Sequence, residues 1–313
     1  MEAKFMKVLM CVPNVSEGCK TDTIEQVAQA VKATHNVRML ECSSDKAHNR
    51  SVFTYIGKPE SVLEATKKLA EISISSIDMA VHKGDHPRMG AVDVVPFIPV
   101  KGITVTEAIA IARQFGKFLG DKGVPVYYYE DAASSPERRN LVQVRKGQYE
   151  ALAGKLKDPA WLPDEGAACF NKKSGATAVG VRPPLIALNV NLATGDLNIA
   201  STIARKVRHM NGGFRFVRAI GVNKREQGMV QVSMNLTNYE QTPVHMVLEA
   251  VRSESSRYGI LIHSSELVGP VPIKALEEVA RFYLQAHEFS STQIIENNLA
   301  GLDSCSGDLA EQE

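Results

Sequence analysis

The chain has 313 residues, 44% of them apolar and 23% charged, with a net charge of +1. Such proportions belong to a globular protein with one large core or two modest ones, and the lack of a long basic run, with few aromatic residues, argues against a nucleic-acid surface. The first apolar run, Val8 to Val12, stops at Pro13 and is too short for a signal peptide or a membrane span.

Met6 to Val12 reads as a buried strand ending at Pro13-Asn14. Asp22 is placed to cap a helix, with Glu25 three residues on and Ile24, Val27, Ala28 and Val31 at helical spacing. Val37 to Cys42 and Ser51 to Ile56 are the next strands, and Pro59 opens a second helix as a first-turn proline. A polar loop follows, then the apolar run Val94 to Val100. The order strand, helix, strand, strand, helix, strand is the ferredoxin-like pattern. A helix over Val105 to Leu119 and a strand over Val124 to Tyr129 extend it, with short helices around Pro136 and Gln148. From Trp161 to Pro184 glycine is frequent and periodicity absent, the mark of a long functional connection.

Beyond that connection the order repeats without shared residues: strand Leu185 to Leu192, helix Asp196 to His209, strands Arg215 to Val222 and Met229 to Thr237, helix Pro243 to Tyr258, strand Ile260 to Leu267 and helix Pro272 to His287. The fold class is therefore α/β (α+β), with two ferredoxin-like βαββαβ subdomains that carry mixed sheets and outer helices. Two such halves facing each other would make a cleft suited to a small molecule.

The loop His82 to Met89 concentrates two histidines, Lys83, Asp85 and Arg88, broken by Gly84 and Pro87. His82 and His86 stand four apart, yet Gly84 and Pro87 oppose a helix through them, and no glutamate follows His82 as in zinc proteases. A general acid or base histidine and a structural turn are the other readings; imidazole suits the first because it titrates near neutrality. Arg88 is either a bidentate partner for a substrate carboxylate or the partner of Asp85 or Asp93. Asn189 and Asn191 alternate with apolar residues and share one strand face. His245 and His263 read as core or cleft residues and not ligands, and Cys42 as a packed residue. Five cysteines (Cys11, Cys19, Cys42, Cys169, Cys305), odd in number and without zinc or redox spacing, fit a reducing, cytoplasmic setting.

Gly84 to Val100, GDHPRMGAVDVVPFIPV, resembles the signature loop of the formiminotransferase domain of formiminotransferase-cyclodeaminases. Cys11 to Gly18, Asn49 to Glu60, Gly123 to Glu130 and Ser174 to Leu192 resemble further segments of that family in the same order. The resemblance implies transfer of the formimino group from N-formimino-L-glutamate to N5 of tetrahydrofolate in histidine degradation, with tetrahydrofolate as co-substrate and no metal. Transfer of a formyl group from 5-formyltetrahydrofolate to glutamate, or a folate-binding module without catalysis, are the alternatives.

By the same resemblance His86 is the catalytic histidine, with Arg88 and Asp85 beside it. The stretch Gly166, Ala167, Ala168, Cys169, Phe170, Asn171, Lys172, Lys173, Ser174 and Gly175 aligns with the family's folate contact. Its glycines would let backbone approach a pterin ring, and its lysines would meet a glutamate tail. Animal members carry Pro-Ser-Trp around the position of Lys172. His82, Asn14, Asp45, Asn189 and Asn191 are further candidates for substrate contact. The expected domains are an N-subdomain at 1–181, a C-subdomain at 182–301 and a flexible tail at 302–313. A homodimer, and a separate cyclodeaminase acting on the product, complete the expectation.

Overall fold

In the computed structural model, which describes residues 7–224, 228–295 and 297, strands β1 (Val8–Cys11) and β2 (Asn14–Val15) form one line interrupted at Val12 and Pro13. Both pair antiparallel with β4 (Arg50–Gly57) on one side and β5 (Val92–Lys101) on the other, and β3 (Val37–Asp45) covers the outer edge of β4. Helices α1 (Thr21–Lys32) and α2 (Pro59–Ser76) make the two crossovers. This lateral order is the ferredoxin-like arrangement. Asp22 does not cap α1: the N-cap is Lys20, without a side-chain cap, and Asp22 sits in the first turn, where its charge favours the helix dipole.

The stretch read as a structureless connection contains a strand. β7 (Thr177–Val181) inserts between β5 and β6 (Val126–Glu130), parallel to both, after the crossover helix α3 (Val105–Asp121). Every residue of β7 is buried, so its sequence has no alternation to reveal it, and a five-residue apolar run is silent about its own type. Tyr128 packs into the core that α1, α2 and α3 cover, while Tyr127 and Tyr129 face a second core closed by Val144, Leu152 and Leu156. Val144 ends the short helix α4 (Leu141–Val144), and Leu152 opens α5 (Leu152–Lys155).

The chain divides into two compact units, Met1–Pro183 and Pro184–Glu313. The second carries a four-stranded antiparallel sheet in the order β11 (Ile262–Val268), β8 (Ile186–Leu192), β10 (Met229–Leu236), β9 (Val217–Lys224). Ile186, Leu188, Val190 and Leu192 point into its core with residues of α6 (Leu197–Val207) and α7 (Val244–Ser256); α8 (Ile273–Leu284) adds Ala275. His245 is buried and stacks on Phe282 at 4.4 Å, Cys42, expected to be packed, is exposed on β3, and His263 is exposed on β11. The tail at 302–313, Met6 and Cys305 lie outside the described residues. No helix among the described residues is long and apolar enough to cross a membrane.

Candidate active site

Residues 77–91, between α2 and β5, form the loop that carries both histidines, and backbone bonds fix it on three sides. Met79 N donates to Lys173 O at 2.8 Å, Ala91 N to Ser174 O at 2.9 Å, and Ser16 N to Ala91 O at 2.9 Å. Asp85 N donates to Ala47 O at 3.3 Å, which ties the loop to the turn between β3 and β4. Asn49 completes that tie. In the left-handed region at φ 46°, which asparagine tolerates, it accepts from Gly18 N at 2.9 Å and donates to Lys83 O at 2.8 Å. Gly84 is required by contact: a Cβ there would lie 2.3 Å from the His48 carbonyl oxygen.

The loop holds His86 half-buried, with Nδ1 2.7 Å from the Pro87 carbonyl oxygen. Arg50, at the start of β4, lays Nη1 on the imidazole, 2.6 Å from Nδ1 and in contact with Nε2. A guanidinium can only donate, and the Pro87 carbonyl can only accept. A donor lying against both ring nitrogens disfavours the fully protonated ring, and a proton on Nδ1 suits the Pro87 carbonyl. The electrostatics agree: burial first, then the Arg50 charge, push the His86 pKa down to about 4, with Arg145 adding to the shift and the Pro87 and Asp93 oxygens opposing it. Burial also brings Arg50 down to about 10.

Asp93, only 1% exposed, is the carboxylate of this cluster. It accepts from Met89 N at 2.7 Å and from Arg145 Nη2 at 2.7 Å, and that same Nη2 also reaches the Pro87 carbonyl. Two guanidiniums, Arg50 and Arg145, thus flank His86 with one carboxylate directly paired, and Arg50 forms no ion pair among the described residues. The excess positive charge suits an anionic ligand. The His48 ring stands edge-on to His86 at 5.9 Å, and its Nδ1 lies 3.0 Å from Asp45, so Asp45 reaches the site through His48.

Of the residues singled out in the sequence, Arg88 takes neither expected acidic partner. Its fork closes on Glu150 at 2.9 and 2.7 Å, and it also donates to His82 Nδ1 at 3.3 Å and His82 O at 3.2 Å. His82 Nε2 lies 3.0 Å from Asn49 O, so both nitrogens of each histidine already face protein groups. Asp85 is exposed. Asn14 is buried in β2, donating to Val12 O at 3.0 Å.

In the stretch 166–175, Gly166, Ala167, Ala168, Cys169, Lys172 and Lys173 are exposed, while Ser174 and Gly175 are buried. Phe170 packs on Tyr149 at 5.4 Å, Asn171 donates to Gly123 O at 3.0 Å, and Lys173 Nζ donates to Ser75 O at 2.8 Å. Gly175, at φ 68°, faces the Met89 carbonyl, so its missing side chain admits backbone of the histidine loop. Asn189 and Asn191 lie in the second unit on β8. Asn191 donates to Ser264 and Glu266 at 2.9 and 3.0 Å and accepts from Gln231 at 2.9 Å.

Sequence reasoning left out Arg50, His48, Arg145 and Glu150. A cation opening the apolar run of β4 was a usable signal for Arg50, while Arg145 and Glu150 lie in a stretch without periodicity and reach the loop only through the fold.

Comparison with known proteins identifies the family of the chain. Residues 8–182 match the formiminotransferase domain, N-terminal subdomain, and residues 187–304 the formiminotransferase domain. The chain is similar to the glutamate formimidoyltransferase of Streptococcus pyogenes serotype M1, 43% identical over 297 residues that make up 94% of this chain and 99% of that one. It is also similar to the glutamate formimidoyltransferase of Thermoplasma acidophilum, 39% identical across 94% of this chain and 98% of the relative. The formimidoyltransferase-cyclodeaminase of Gallus gallus is 41% identical across 89% of this chain and 53% of its own length. The chain belongs to the formiminotransferase family.

Proposed function

We propose that this chain is a glutamate formimidoyltransferase, moving the formimino group of N-formimino-L-glutamate to N5 of tetrahydrofolate and releasing L-glutamate. Its likeness to two stand-alone enzymes of that name over nearly their whole length supports the reading. The single observation that carries the mechanism is the half-buried His86 imidazole, with Nδ1 at the Pro87 carbonyl and a cationic cluster around the ring, surroundings that favour the neutral base.

His86 Nε2 takes the N5 proton as the bond from N5 to the amidine carbon forms. The imidazolium then gives that proton to the glutamate nitrogen as the bond from carbon to that nitrogen breaks, and the base is regenerated. Positioned proton transfer of this kind contributes about a hundred- to ten-thousand-fold. The cationic cluster attracts the carboxylates of the donor, and Arg88, spanning Glu150 and His82, stiffens the loop on which His86 stands. The exposed backbone at 166–169, with Lys172 and Lys173, is the surface offered to folate.

The proposal includes a homodimer, a cytoplasmic setting, and a separate enzyme to remove ammonia from the product. The test supplies N-formimino-L-glutamate and tetrahydrofolate and follows 5-formiminotetrahydrofolate. The wild-type chain turns over, and His86→Ala loses about a hundred-fold or more while binding tetrahydrofolate within a few fold. A wild-type chain that leaves formiminoglutamate intact would falsify the assignment.

A further inference from the structure

The imidazole that must accept a proton is already covered. Arg50 Nη1 lies against both ring nitrogens of His86, and a base so covered has no access to a substrate N–H. Arg50 is held there by little else. It forms no ion pair among the described residues, its buried Nε has no hydrogen-bond partner, and the one buried carboxylate nearby is spent on Arg145 and the Met89 amide. A guanidinium has a much stronger partner in a carboxylate, which it grips through two parallel bonds, than in an imidazole nitrogen.

We propose that Arg50 is a latch on His86, closed in the free protein and withdrawn by a carboxylate of an acidic amino-acid substrate, so that Nε2 is exposed only when the donor is seated. The latch rests on the transferase reading for what the freed imidazole then does. Arg50 is thereby a positioning residue that acts through His86. The groups facing His86 are Arg50 from β4, His48 from the turn before it, Arg145 after α4, Asp93 from β5 and the Pro87 carbonyl of its own loop. Arg145 stays paired with Asp93 and cannot replace Arg50 at the ring. Moving the Arg50 charge from the imidazole to a carboxylate removes the nearest repulsion against protonation, so the base also strengthens as substrate binds.

The test is the nuclear magnetic resonance titration of the His86 ring in the full chain, assigned with His86→Gln. In the wild type, glutarate, a dicarboxylate with no group to transfer, raises the His86 midpoint by about one pH unit or more. Arg50→Gln raises it by a similar amount without ligand, and glutarate then adds nothing. Arg50→Lys, with charge retained on a shorter reach, falls between.

A wild-type midpoint unmoved by saturating glutarate overturns the latch, as does an Arg50→Gln ring that titrates where the wild type does. Should Arg50→Gln fail to fold, the wild-type glutarate titration decides alone. A ring that responds in a chain that does not consume formiminoglutamate leaves the latch standing and removes the transferase reading.

Discussion

The two units run the same βαββαβ order, and the site stands where they differ. Between its second crossover helix and β5 the first unit has residues 77–91, tied to β2, to the β3–β4 turn and to the strand line of β7. The second unit makes the same connection with residues 257–261. The first unit also breaks its opening strand at Val12 and Pro13, which sends Ser16 to Gly90 O at 2.7 Å and Gly18 N to Asn49. β8 runs unbroken and keeps its polar residues in register on one face, where Asn191, Gln231, Lys224 and Glu266 bond to one another. A lengthened connection and an interrupted strand convert a packing unit into a holder of charged side chains.

The difference breaks most readily at the pair beneath His86. Asp93 is buried against Arg145, and removing one partner of a buried pair leaves an uncompensated charge. Asp93→Ala should cost the first unit about 3 to 5 kcal/mol. Trp161, the single tryptophan, lies in that unit against Tyr127, so its fluorescence through a denaturant titration reads the loss there. A cost below about 1 kcal/mol would mean that the loop does not depend on this carboxylate.

A pH dependence sharpens the same contrast. The folded His86 titrates near 4 against an ordinary 6.5, so between these values the unfolded chain binds a proton that the folded chain refuses. Stability carried by the neutral ring is present above about 6.5 and is lost as pH falls toward about 4. His86→Gln should flatten the Trp161 unfolding midpoint across that window. An unchanged slope would place the ring in an ordinary environment.

In the second unit the corresponding change is milder. Asn191→Ala removes donors to Ser264 and Glu266, yet Gln231 keeps Glu266 as an acceptor at 3.2 Å. A loss of about 1 to 2 kcal/mol is expected by circular dichroism of denaturation. A loss as large as that from Asp93→Ala would show that the amide face is as tightly committed as the histidine loop.

Both crossovers of the first unit and strands β8, β9 and β10 of the second were legible because an apolar face of each alternates with a more polar one, which writes the structural period into the sequence. β7 was not, since burial on both faces erases that period. The same logic divides the site. His86 stood out because histidine, aspartate and arginine crowd a short loop broken by Gly84 and Pro87. Arg50 and Arg145 carry no such local mark: one opens a strand and the other follows a four-residue helix, and only β4 beside β2 and the second core under β6 bring them to the imidazole. Gly175 shows a packing reason that only the fold supplies: the place a side chain would take is filled by the Met89 carbonyl.

The smallest expected effect tests whether the contrast is one of burial or merely of charge. Lys224 and Glu266 form an ion pair at 2.6 Å, as close as the pair beneath His86, but their side chains are 24% and 42% exposed. If charge alone mattered, Lys224→Met would cost as much as Asp93→Ala. Water screens the exposed pair and solvates either partner left behind, and Glu266 keeps its bonds to Asn191 and Gln231. Lys224→Met should therefore shift the second unit by no more than about 1 kcal/mol, with most of that removed by raising the salt concentration. A larger, salt-insensitive loss would place Glu266 in the same class as Asp93, a carboxylate that depends on its cation.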